Sequence, residues 1–251
     1  MKVALPARAK LNLDLQVIKR RADGFHEIRT RMQSVALHDL IEAEPASRTA
    51  LEMDGLSVPQ GGDNIVLKAH AALEHAVDRE LPTRFRLHKR IPPGAGLGGA
   101  SSDAAAALRA LKIVHSLDTD ITKIAHGVGA DVPFFIAGGS VLAEGTGERL
   151  SPLPMRHAWY AIAWPHIELS TATVYGAWDE IRGEPPNDLR HAAERADHRI
   201  RDFAERLSGE WQMTGSGSAF FKQCANEEAA LKAIASFDCW TAVTHSVGAW
   251  A

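Results

Sequence analysis

Cysteine is scarce in this chain: Cys224 and Cys239 are the only two in 251 residues. Two are too few for a disulfide framework, and their spacing suits no metal site, so a reducing, cytoplasmic setting is expected. No apolar run reaches the roughly 18 residues that span a bilayer. The opening stretch Met1–Pro6 is too short in apolar residues for a secretory leader, so neither leader nor membrane partner is expected. Strong charge of either sign is also missing. A net charge of −3 provides no broad basic field, which argues against nucleic acid as a partner. The chain has 12 histidines but no H-E-x-x-H or comparable ligand pair, so a protein-held metal is not expected. Repeats and low-complexity segments are absent too. An apolar share of 45% is that of an ordinary globular protein, and the length accommodates one large domain or two modest ones. Nothing here bears on the oligomeric state.

What the chain does have is glycine in one telling place. Residues 92–103 read Pro92-Pro93-Gly94-Ala95-Gly96-Leu97-Gly98-Gly99-Ala100-Ser101-Ser102-Asp103, and an alanine-rich helical run follows. Glycines let successive amides converge on an anion, and the new helix adds its unpaired N–H groups and positive dipole end. The segment is therefore a phosphate receptor by composition. Gly94, Gly96 and Gly99 also match G-x-G-x-x-G. Yet Pro92-Pro93 separates them from the preceding strand candidate Arg84–Ile91, and no second strand leads to Asp118 or Asp120, as a dinucleotide fold requires. A Walker loop is excluded because no lysine follows the last glycine. The plain alternative is a glycine turn whose serines cap a helix.

The first half reads as strand-rich. Leu11, Leu13 and Leu15 alternate with Lys10, Asn12 and Asp14; further strands are expected at Ser34–Glu44, Arg84–Ile91 and within Gly138–Glu148. A helix is expected to start at Asp63-Asn64, and another runs from the glycine loop to about Leu117. Ser151-Pro152-Leu153-Pro154 marks a boundary, dividing the chain into 1–153 and 154–251. Beyond it, strands are expected at Trp159–Trp164, Ala219–Gln223 and Trp240–His245. Helices are expected at Ala172–Arg182, Leu189–Leu207 and Glu227–Ser236. The class is α+β in two lobes.

Four further segments bear chemistry or a bland equivalent. Strand alternation sends Lys10 and Asn12 to the face opposite Leu11, either towards solvent or into a site. Asp23-Gly24 is a turn that presents Phe25 and His26, suited to stacking on and reading a flat heterocycle, or to a hairpin with a core Phe and a surface His, which the spacing alone slightly favours. Asp131, ahead of Val132-Pro133-Phe134-Phe135, is either a proton acceptor or a helix cap. Thr214-Gly215-Ser216-Gly217-Ser218 is a second glycine–serine loop, either a phosphate cover or a simple turn.

Together these segments resemble the GHMP superfamily of small-molecule kinases. The shared wording is Ala9-Lys10-Leu11-Asn12-Leu13 in a first strand, the loop Pro92–Ser102, and the late Thr214-Gly215-Ser216-Gly217. Arg21-Ala22-Asp23-Gly24-Phe25-His26, Asp63-Asn64 and Gly129-Ala130-Asp131-Val132-Pro133-Phe134 narrow the likeness to the branch acting on 4-diphosphocytidyl-2-C-methyl-D-erythritol. The resemblance implies a two-lobed GHMP fold, with a left-handed βαβ unit in the first lobe and a mixed sheet with helices in the second. It implies ATP with Mg²⁺, a cytidine-diphosphate-linked acceptor, and a place in the methylerythritol phosphate route to isoprenoid precursors. It makes Asp131 the catalytic base and Lys10 its partner. Pro92, Pro93, Gly94, Ala95, Gly96, Leu97, Gly98, Gly99, Ala100, Ser101 and Ser102 become the phosphate loop, with Asn64 and Lys89 near the nucleotide. Phe25 and Tyr175 would sandwich cytosine, His26 would read its edge, and Asn12 would lie in the substrate site. Asp103 departs from relatives that carry Asn there, although it too lies on the nucleotide side. The chain is also compact after residue 150. Rival readings are a superfamily kinase for a sugar, mevalonate or homoserine, a nucleotide sensor without catalysis, and a dinucleotide oxidoreductase.

Overall fold

The computed structural model describes residues 1–56 and 64–250. The first lobe runs β1 (Val3–Asn12), β2 (Gln16–Arg20), β3 (His26–Pro45), β4 (Ala50–Gly55), α1 (Ile65–Val77), β5 (Thr83–Lys89), α2 (Gly99–Val114), α3 (Ile121–Val128), α4 (Val132–Ala137), β6 (Ser140–Gly145) and β7 (Arg149–Pro152). The second runs β8 (Trp159–Trp164), α5 (Thr171–Ile181), α6 (Arg190–Ala196), α7 (His198–Arg206), β9 (Gln212–Met213), β10 (Phe220–Cys224), α8 (Glu227–Ile234) and β11 (Trp240–His245).

The sheet of the first lobe is built on β3, which pairs with β1, β2, β5 and β6. All its pairings are antiparallel except β4 with β5, and α1 joins those two strands to make the βαβ unit. The sheet of the second lobe, β11-β8-β10-β9, is antiparallel throughout rather than mixed. The reason is topological. α8 carries the chain from β10 on one flank of β8 to β11 on the other, so these two like-directed strands never pair.

Local chemistry accounts for the element ends. Asn64 starts α1, its side chain accepting from the Val66 amide; Asp63, expected to share that role, lies outside the described residues. The expected single helix Leu189–Leu207 is two, because Asp197 adopts an extended backbone and accepts from the Arg199 amide to start α7. The boundary prolines sit beside the edge of the first sheet, where Pro152 ends β7 and its missing N–H costs no ladder bond.

Three apolar clusters hold the molecule together. Phe85, Leu87, Ile41, Leu73, Leu108 and Phe134 fill the space between the first sheet and its helices. Val174, Trp178, Phe203 and Phe220 centre the second lobe, which also takes in Leu15 and Val17 from the beginning of the chain. Ala9, Leu11, Val35, Leu97, Ile162 and Phe221 form a third cluster across the lobe junction. The last residues tie the lobes again, as Ser246 bridges to Val35 and Ala249 to Gly138. Trp250 donates its indole N–H to the Phe135 carbonyl at 3.0 Å and lies under the Arg8 and Arg109 guanidiniums. Among the described residues no helix is long and apolar enough to cross a membrane.

Phe85 is fully buried at the centre of the first cluster. Phe85→Ala is expected to destabilise the chain by about 3–5 kcal/mol, read from the midpoint of urea unfolding.

Candidate active site

The loop at residues 92–98 is held in place by main-chain bonds from both lobes. The Leu97 carbonyl accepts from the Lys10 amide and the Ala95 carbonyl from the Ala219 amide, each at 3.0 Å. Its glycines are sterically required. Gly96 has φ +75°, and a Cβ there would lie 2.3 Å from the Thr214 carbonyl oxygen. Gly98 has φ +73°, and its Cβ would strike the Phe135 ring at 2.5 Å. Gly98 is also the N-cap of α2 and contributes no side-chain cap, so no side chain occupies the amides that open this 16-residue helix. They face a cavity of about 830 Å³ between the lobes.

Lys10 reaches the floor of that cavity from β1. Both faces of the strand are buried: Leu11 packs in the lobe junction, while Lys10 and Asn12 lie under the second glycine loop. The Lys10 ammonium donates to Asn12 Oδ1, and Asn12 Nδ2 donates to Thr30 Oγ1 at 2.8 Å. Burial lowers the pKa of Lys10, while the nearby Asp131 charge opposes that shift. The Asn12 main-chain N–H in turn donates to Thr214 Oγ1 at 2.9 Å. Asp131 takes the N-cap position of α4, yet its side chain makes no capping bond. The cap alternative thus leaves the carboxylate unused, and Asp131 lines the cavity.

The other end of the cavity is aromatic. The tight turn between β2 and β3 places Gly24 at φ +86° and leaves Phe25 63% exposed at the rim. His26 stacks on Tyr175, with centroids 4.7 Å apart, and meets Trp178 edge-on. Its Nε2 pairs with Asp179 Oδ1 at 2.9 Å, leaving Nδ1 as the ring's other polar atom. Burial and the Asp131 charge raise the pKa of the Tyr175 phenol.

Most of the residues singled out from the sequence therefore line one cavity: Lys10, Asn12, Phe25, His26, Asn64, Lys89, residues 92–101, Asp103, Asp131 and Tyr175. Ser102 is the exception. It is buried away from the cavity and donates its hydroxyl to the Arg8 carbonyl at 2.6 Å. Lys89 lines the cavity but directs its ammonium at Asp39 and Asp103 rather than into open space. Sequence reading did not single out Asp179 or Arg20, which pairs with Asp179 at 3.3 Å. Nor did it commit to Gly215, Ser216 and Gly217, which close the cavity from the second lobe. The glycine–serine wording of that loop was the available signal. Among the described residues no group of three or more His, Cys, Asp and Glu side chains could hold a metal ion.

Residues 64–139 match the family model described as "GHMP kinases N terminal domain". A 4-diphosphocytidyl-2-C-methyl-D-erythritol kinase of Thermus thermophilus is 35% identical over 257 residues, covering 93% of this chain and 92% of the relative. One from Chromohalobacter salexigens is 34% identical over 253 residues, covering 91% and 85%. A crystal structure of a 4-(cytidine 5'-diphospho)-2C-methyl-D-erythritol kinase superposes with a TM-score of 0.84 at 32% identity, over 98% of this chain and all of that one. Kinship at this level over nearly the whole length places the chain in the 4-diphosphocytidyl-2-C-methyl-D-erythritol kinase family of GHMP kinases.

Proposed function

We propose that the chain transfers the γ-phosphoryl group of ATP to the 2-hydroxyl of 4-diphosphocytidyl-2-C-methyl-D-erythritol, as a cytoplasmic step of isoprenoid precursor synthesis. The observation that carries this reading is the joint placement of Lys10 and Asp131 beside the loop, in a cavity whose far end is aromatic. A phosphate receptor alone would suit any member of the superfamily. A buried cation and an unused carboxylate beside it supply the chemistry, and the aromatic end supplies a reason for a nucleobase-bearing acceptor.

The loop amides and the α2 N-terminus receive the triphosphate. Magnesium would accompany the nucleotide and would offset negative charge on the triphosphate as the phosphoryl group transfers. The acceptor hydroxyl attacks the γ-phosphorus in line, the bond to the β,γ-bridging oxygen breaks, and the hydroxyl proton passes to the Asp131 carboxylate. Lys10 is held by Asn12 Oδ1, with the Gly215 backbone close to its ammonium. It meets the charge developing on the phosphoryl group without reorganising. At the aromatic end, Phe25 stacks on the cytosine and Tyr175 faces it. His26 donates Nε2–H to Asp179, and Nδ1 is then left to accept from an exocyclic amine.

Asp131→Ala should lower turnover at least about a hundredfold while ATP still binds with near-native affinity, measured by single-turnover kinetics and calorimetry. Activity within tenfold of the unmodified chain would remove Asp131 from the role of base. Phe25 is exposed, so its loss costs little stability. Phe25→Ala should weaken acceptor binding by about 1–3 kcal/mol, seen as a raised KM for the acceptor with the KM for ATP unchanged.

A further inference from the structure

Beneath the phosphate loop lies a buried cluster that the transfer itself does not use. Lys89, at the end of β5, donates to Asp39 Oδ2 and, at 2.8 Å, to Asp103 Oδ2. All three side chains are almost wholly enclosed, with exposures of 3%, 0% and 4% for Lys89, Asp39 and Asp103. Asp39 is on β3, the strand on which the sheet is built, and its Oδ1 accepts from the Arg90 and Ile91 amides. Those are the residues through which the chain enters the loop. Asp103 stands in α2, just past the point where the chain leaves it. A Cβ on Gly99, the first residue of the helix, would lie 3.2 Å from the Lys89 ammonium.

We propose that Asp39, Lys89 and Asp103 form a staple across the base of the phosphate loop, with Asp103 a positioning residue for the polyphosphate that acts through Lys89. The loop's amides reach an anion only while the strand that enters it and the helix that leaves it keep their separation. One ammonium shared between carboxylates on either side fixes that distance. Oriented, enclosed charge pairs of this kind add geometry more than stability. The second Asp103 oxygen, Oδ1, is buried without a partner. Burial and the neighbouring Asp39 charge push the Asp103 carboxyl well above its ordinary range, and Lys89 opposes that shift.

This inference rests on the reading of the loop as the triphosphate site, so the test reads nucleotide binding without the acceptor. Calorimetry with a non-hydrolysable ATP analogue on the full chain compares Asp103→Asn, Asp103→Leu, Asp39→Asn and the double variant Asp39→Asn/Asp103→Asn. Steady-state kinetics follow on the same variants. Asp103→Leu should weaken nucleotide binding by about tenfold or more, with the KM for the acceptor unchanged. Asp103→Asn, which keeps an oxygen towards Lys89, should restore most of that loss. The two Asn substitutions should be non-additive, because they act on one ammonium. If Asp103→Leu fails to fold, the non-additivity decides. Unchanged nucleotide affinity in Asp103→Leu, or strictly additive losses, would overturn the staple. Tight nucleotide binding with no transfer to the cytidine-linked acceptor would instead count against the proposed function and leave the staple standing. An unmodified chain that binds no nucleotide would overturn both.

Discussion

The site depends on the wedging of a glycine-only backbone between two lobes. Ala95 and Leu97 give their carbonyls to Ala219 and Lys10, and Gly96 passes under the Thr214 carbonyl with no room for a side chain. These contacts bring three distant stretches of chain to one point: the first strand, the loop before α2, and the turn before β10. Loosening any one of them would displace Lys10, the helix N-terminus and the cavity wall together. Apolar packing at the junction, with Leu11, Leu97 and Phe221 in one cluster, makes the arrangement rigid enough to hold a buried ammonium.

Charge is used sparingly in that setting. Lys10 and Lys89 are the two enclosed lysines, and each has its own partners. Lys10 is met by a neutral amide oxygen, so its charge remains available to the cavity. Lys89 is met by two carboxylates, so its charge is spent on structure. In the proposed reading the same residue type, a few ångströms from the same loop, serves chemistry in one place and shape in the other. The aromatic end follows a comparable division, since Asp179 pairs with one nitrogen of His26 and the other is the ring's remaining polar atom.

Much of the fold was readable along the chain. The strands at Trp159–Trp164 and Trp240–His245 have the expected bounds, because a short β-rich apolar or alternating run has few other ways to bury itself. β3 was harder. Only Ser34–Glu44 carries the pattern, while its first residues, rich in arginine, are strand because β2 and β6 pair with them. α6 and α7 share one helical periodicity, and only the backbone at Asp197 separates them. Within the site, the loop, Asp131 and Phe25-His26 were legible from residue type and order. The burial of the Lys10 face was not, since it is made by a loop some 200 positions away (|i−j| = 202 for Asn12 and Thr214). Nor were Asp39, Asp179 and the partners of Asp103, whose meaning lies wholly in contacts across elements. Ser102 shows the converse: a residue placed by its motif on the phosphates turns its hydroxyl to the Arg8 carbonyl instead.

The central claim is that the Lys10–Asp131 pair and the aromatic end act on one acceptor, and a single competition assay addresses it. The purified chain with MgATP is offered 4-diphosphocytidyl-2-C-methyl-D-erythritol, mevalonate and homoserine in parallel, and ADP release is followed with each. ADP formation with the cytidine-linked alcohol alone, with the new phosphate on its 2-hydroxyl, is the predicted result. Comparable or faster turnover of an acceptor without a nucleobase would contradict it.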